Sequence, residues 1–95
     1  MAGREQLAVF CYDVSRDSTR NRIAAVLERF GTRVQFSVFE CRLKASKAEA
    51  VSSTLDVMRD PGDSVRMYVV PEDGRRASRA AGGAPIAERS GVLLF

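Results

Sequence analysis

Residues 33–43 read RVQFSVFECRL, and the phase of their alternation decides what kind of fold this chain makes. Val34, Phe36 and Val38 occupy one row of a period-two pattern, and Phe39, Cys41 and Leu43 occupy the other. The change of phase between Val38 and Phe39 has two readings: one strand bent by a bulge, or two short strands joined tightly. No Gly or Asn marks a turn there, so the residues by themselves leave both open.

Upstream, Ser15 and Asp17 offer N-cap oxygens for a helix over 17–30. Ile23, Val26, Leu27 and Phe30 follow i, i+3, i+4, i+7 and make its buried stripe, and Gly31 is placed to stop it as the C′ residue. Before it, residues 7–14 (LAVFCYDV) form a strand apolar in both rows: Leu7, Val9 and Cys11 on one face, Ala8, Phe10 and Tyr12 on the other. A central strand covered on both faces has this composition. Asp13 then stands out as a carboxylate at the carboxyl end of a buried strand.

Downstream, Ser46-Lys-Ala-Glu49 has the capping-box pattern, and Ala48, Val51, Leu55 and Met58 give a second helix its apolar face. Asp60-Pro61-Gly62-Asp63 ends that helix. Residues 64–70 (SVRMYVV) make another strand, with Val65, Met67 and Val69 on one face and Arg66, Tyr68 and Val70 on the other. Residues 74–91 have no sustained period and read as a loop, and Gly91-VLLF-95 as a closing strand. The order is β-α-β(β)-α-β plus a terminal strand, in a single domain over 1–95 with its core at about 6–71. It fits an α+β, ferredoxin-like arrangement: an antiparallel sheet with both helices on one face. Phe10, Tyr12, Tyr68 and Val70 make the opposite face too apolar for water, so that face is expected to pack on a second copy as a homodimer.

Ninety-five residues, 45% hydrophobic and 28% charged, suit one globular domain. No apolar run approaches the roughly 20 residues of a membrane span, and the N-terminus lacks a secretory pattern. Cys11 and Cys41 read as reduced core thiols, so a cytoplasmic location is expected. With no histidine and two cysteines, one chain cannot build a Ser-His-Asp triad, a Cys-His dyad or a standard structural zinc site. Of 15 basic residues, thirteen are arginine; residues 1–47 carry +4 and residues 48–95 carry −1. An arginine-rich first half suits a polyanionic partner, although compositional bias gives the same count.

Each candidate residue has a functional and a structural reading. Asp13 is placed to bind Mg²⁺, which often takes only one or two protein carboxylates, or else to cap the following helix. Arg16, Arg20 and Arg22 crowd a helix start, where cations oppose the dipole. A bound phosphate would reverse that penalty, whereas solvation would merely screen it. Arg33 is positioned to join them. Tyr12 and Phe39 either stack on bases or fill the core. Arg75, Arg76 and Arg79 form a generic basic patch.

At YDVS (12–15) and again at RVQFSVFECRL the chain resembles the small CRISPR-associated endonuclease family, the dimeric subunit that accompanies the integrase in spacer acquisition. The likeness spans residues 6–71 in five ordered segments: an apolar strand ending in YD, an Arg-bearing helix, G-x-RVQ-x-SVFE-x-x-L, a second helix, and DSVR-x-Y. It implies two strands at the phase break, a homodimer, Mg²⁺ dependence, and an integrase subunit and RNA or DNA as partners. It also implies Asp13 as the metal-binding aspartate with Tyr12 beside it as the catalytic pair. Arg20 and Arg22 fall on the family's helix arginines, Arg33 on its strand arginine and Phe39 on the phenylalanine of SVFE. Arg16 stands where many members have an acid. Two functions follow: a metal-dependent endonuclease acting in antiviral spacer acquisition, or a non-catalytic dimeric adaptor that bridges integrase dimers and clamps duplex DNA. Lacking a histidine base, the first should gain activity as pH rises above neutral.

Overall fold

The structure, a computed structural model, describes residues 4–87. Its elements are β1 (Gln6–Asp13), α1 (Asp17–Glu28), β2 (Gly31–Gln35), β3 (Val38–Leu43), α2 (Ala45–Met58), β4 (Ser64–Val70) and α3 (Glu72–Ala77). The four strands form one antiparallel sheet in the order β2-β3-β1-β4. Each β-α-β unit skips a position that a strand of the other unit fills, which is the ferredoxin-like interleaving expected from the sequence.

The break of phase at Val38 is a two-residue connection, Phe36-Ser37, between β2 and β3. An irregularity of register between Arg33 and Gln35 accompanies it. Two strands and a bulge therefore coexist, the bulge supplying the bend that a chain without Gly or Asn needs.

Both helices lie on one face. Ala8, Phe10 and Tyr12 of β1 and Phe39, Cys41 and Leu43 of β3 point toward Ile23, Ala24 and Leu27 of α1 and Ala48, Val51 and Leu55 of α2. Val26, Phe30 and Met58 close the margins of this core. Burying an aromatic or branched aliphatic side chain fully contributes about 1.5–3 kcal/mol, so these residues dominate the stability.

Several expectations need correcting. Phe10 and Tyr12 do not share a face with Tyr68 and Val70. The register sets Phe10 opposite Met67 and Val9 opposite Tyr68, so the first pair lies under the helices and the second on the other face. That second face is partly covered by α3, which occupies what was expected to be loop. Leu7, Arg42 and Val70 lie side by side there, Glu72 of α3 sits 4.0 Å from Arg42, and Leu7 is only 2% exposed.

The capping box does not form either. α2 begins one residue earlier, at Ala45, with Lys44 at the cap and no side-chain cap bond. α1 starts from Arg16, not Ser15 or Asp17, again without a side-chain cap, and it ends at Glu28. Gly31 is the first residue of β2 rather than a helix stop, and close approach explains it. A Cβ there would meet the Glu40 carbonyl, the Cys41 sulfur and, at 2.9 Å, the Cys41 Cα. The expected closing strand at 91–95 lies outside the described residues.

Candidate active site

Asp13 ends β1 as an exposed carboxylate opposite Ser64 of β4. Alternation turns it to the face away from α1 and α2, toward Cys11 and Arg66. It makes no hydrogen bond or ion pair among the described residues, so the helix-cap reading fails. A donor it might have capped is already bound: the Ser15 N–H donates to Asp63 Oδ1 at 3.2 Å. Beside it, Arg20 Nη1 donates to the Val14 carbonyl at 2.7 Å.

Those bonds belong to a clasp between the β1–α1 turn and the α2–β4 turn. Asp63, buried, also accepts the Asp60 N–H at 3.0 Å, while the Asp63 N–H donates to the Asp60 carbonyl at 3.0 Å. Gly62, at φ +91°, supplies the left-handed residue this turn needs. Asp60 accepts the buried Thr19 hydroxyl at 2.8 Å and pairs with Arg16 at 3.7 Å. Arg20 additionally pairs with Asp17. The segment that carries Asp13 is thereby fixed just beyond the strand end by groups from both turns.

A second group gathers on the helix side. Tyr12 and Phe39, 6% and 0% exposed, stack with centroids 6.4 Å apart, and the Arg33 guanidinium lies 5.3 Å over the Phe39 ring. Burial pushes the Tyr12 phenol above its ordinary value, and the positive charges of Arg33 and Arg20 pull against that shift. Its hydroxyl is buried, with the Arg33 guanidinium nearby and no hydrogen bond of good geometry among the described residues. Arg20, Arg33, Tyr12 and Phe39 are thus brought together, but across the sheet from the Asp13 carboxylate. Both rings are spent on packing, and neither presents a face to a nucleobase. Arg16 is drawn to Asp60, and Arg22 is exposed and makes no pair.

Sequence reasoning missed Arg66, the arginine that shares the Asp13 face and donates to the Tyr68 hydroxyl at 2.9 Å. Only the pairing of Asp13 with Ser64 and of Cys11 with Arg66 reveals it. The donor set at Asp13 is of the hard-oxygen kind that Mg²⁺ prefers, with solvent access for the waters that ion keeps. One chain supplies a single carboxylate, and no group of three or more His, Cys, Asp or Glu is assembled among the described residues. The residues fit half of a magnesium site.

A family model described as CRISPR associated protein Cas2 matches residues 6–77, from the start of β1 to the end of α3. The chain belongs to this family. It is 41% identical over 63 residues to the CRISPR-associated endoribonuclease Cas2 3 of Synechocystis sp., covering 65% of this chain and 68% of the relative. Among solved structures, Streptococcus pyogenes Cas2 at pH 6.5 superposes with a TM-score of 0.68 at 26% identity, covering 80% of this chain and 99% of that one. A chain of a partial Cas6-RT-Cas1–Cas2 complex superposes with a TM-score of 0.69 at 28% identity, covering 87% and 98%. No helix among the described residues is long and apolar enough to cross a membrane.

Proposed function

We propose that this chain is a nuclease subunit that hydrolyses phosphodiester bonds in RNA or DNA, working as a homodimer with Mg²⁺ at a site made by two copies of Asp13. The observation that carries this reading is the exposed, unpaired carboxylate at the tip of the central strand, held by a clasp of buried side chains that does not consume it. A solvated Asp with nothing to neutralise it is poised for a cation, and a second copy supplies the ligand a single chain lacks. The relatives' designation as endoribonucleases and endonucleases supports the class of reaction.

The two Asp13 carboxylates would hold Mg²⁺, which would supply Lewis-acid polarisation of a phosphoryl oxygen and activation of a water. The chain's own residues do the rest. Arg66, on the same face, is the guanidinium placed to neutralise charge building on phosphorus. Arg22 and Arg33, exposed on the other side of the sheet, hold more distant phosphates. With no histidine in the chain, activity rises as pH climbs above neutral. Asp13→Asn should abolish cleavage in purified protein while leaving the thermal midpoint and the sedimentation coefficient unchanged. Retained turnover would remove the metal role.

One observation favours a second reading, an adaptor that bridges integrase dimers on duplex DNA. Arg22 and Arg33 face away from Asp13, so backbone binding through them does not engage the carboxylate, and a structural neighbour comes from a complex containing Cas1. Spacer acquisition that survives Asp13→Asn in cells assigns the cellular role to scaffolding. Acquisition lost together with cleavage assigns it to catalysis.

A further inference from the structure

The rings expected to meet nucleobases are buried, yet one aromatic at the same end of the sheet is not. Phe36 is 75% exposed. It occupies the first position of the two-residue β2–β3 connection, a place more often held by Asn, Asp or Gly. The connection is tied to the end of β1, since the Tyr12 N–H donates to the Ser37 carbonyl at 3.2 Å. The tip carrying Phe36 therefore stands at the Asp13 end of the sheet, three residues along the chain from Arg33, itself an exposed residue. The other large exposed apolar side chains lie elsewhere in the chain: Val57 on α2, Tyr68 and Val69 within β4.

We propose that Phe36 is a nucleobase-stacking residue, gripping an unpaired base of a single-stranded segment beside the Asp13 site. This rests on the nucleic-acid reading above. The ring has Thr32, Arg33, Gln35 and Ser37 as polar neighbours in sequence, with the half-buried Val34 and Val38 beside it, a setting that suits a base whose phosphate an arginine also holds. Turn placement leaves the ring largely exposed, and the Tyr12–Ser37 bond ties the connection to the strand that ends in Asp13.

The chain contains no tryptophan, so Phe36→Trp installs a single reporter. Titration with a single-stranded oligonucleotide should quench its emission, whereas an abasic oligomer of the same length and charge should bind more weakly and leave emission unchanged. Phe36→Ala should bind the oligonucleotide roughly tenfold more weakly, equivalent to about 1.4 kcal/mol, with the same slope of log K on log salt, because no phosphate contact is lost. Equal quenching by the abasic oligomer, or unaltered affinity in Phe36→Ala, overturns the proposal. Wild-type chain that binds neither oligomer would instead sink the nucleic-acid reading on which it rests. Emission that responds only to a protein partner would mark the tip as a protein-docking site and refute base stacking.

Discussion

Cys41 lies under the two helices, fully buried and directly across the sheet from Ala8. Burial pushes its thiol up to about 11, with the neighbouring Glu40 carboxylate adding to the shift. A raised acid keeps its proton in the folded chain at a pH where the unfolded chain has lost it. Its stabilising contribution is therefore complete below the ordinary thiol pKa of about 9 and disappears as pH rises from there toward 11. At about 1.4 kcal/mol per unit, the loss is on the order of 2–3 kcal/mol. Tyr12, also shifted upward, adds in the same direction at higher pH. Denaturant midpoints followed from pH 8 to 10.5 should fall steeply in the wild type and less steeply in Cys41→Ala, even though the variant starts weaker. Parallel curves would show that the thiol is not the titrating group. The sequence marked both cysteines as core thiols, which holds for Cys41 and not for Cys11, half-buried on the face away from the helices; it marked Tyr12 and Phe39 as either core or stacking groups. The packing of Arg33 on Phe39 was out of reach, because it depends on a register that one strand's pattern does not contain.

At the scale of elements, β2 is the most exposed to insult. It is an edge strand held only by β3, and its first residue is wedged against the partner backbone. Gly31→Ala would force β2 away from Glu40 and Cys41, an overpacking of about 1–3 kcal/mol. The thermal midpoint should drop by on the order of 5–20 °C. Amide exchange should quicken in β2 and β3 before it does in β4. An unchanged midpoint would mean that the edge accommodates a methyl group. Element order, helix faces and the ends of β4 were legible in the periodicities of residues 7–14, 17–30 and 64–70, and β1 lies one residue earlier than expected at each end. The caps were not. Ser46 and Glu49 have the capping-box spacing, but the one-residue loop between β3 and α2 starts the helix at Ala45 and carries Ser46 inside it. The short helix α3 was hidden for another reason. Six residues rich in Arg, Glu and Asp have no apolar stripe; Glu72 pairs within the helix with Arg75 and Arg76 and reaches Arg42 of β3.

At the scale of the whole molecule, the sheet face away from α1 and α2 is only half dressed. α3 covers the Leu7 end, while the Asp13 end presents Val9, Cys11, Val38 and a Tyr68 that is 50% exposed. The dimer proposed for the magnesium half-site would use this end, because Asp13 lies on it. Tyr68→Glu places a charge on that face without touching the helix-side core. Equilibrium sedimentation should find the wild type dimeric at micromolar concentration and the variant largely monomeric. A monomeric wild type would leave Asp13 with no second carboxylate and return the chain to the adaptor reading. That Asp13 and Tyr12 point to opposite faces follows from strand alternation alone; that Arg33 joins Tyr12 was not legible, since only the register says which face each partner shares.

The interleaved strand order has a consequence for synthesis. β1 is made first, yet both of its neighbours come later, and Leu7 does not meet Val70 until the last strand has left the ribosome. At ordinary elongation rates the most apolar stretch of the chain waits roughly 3–12 s with at least one edge open. Slow codons placed across residues 64–70 would prolong that interval and cost soluble yield without changing a single side chain.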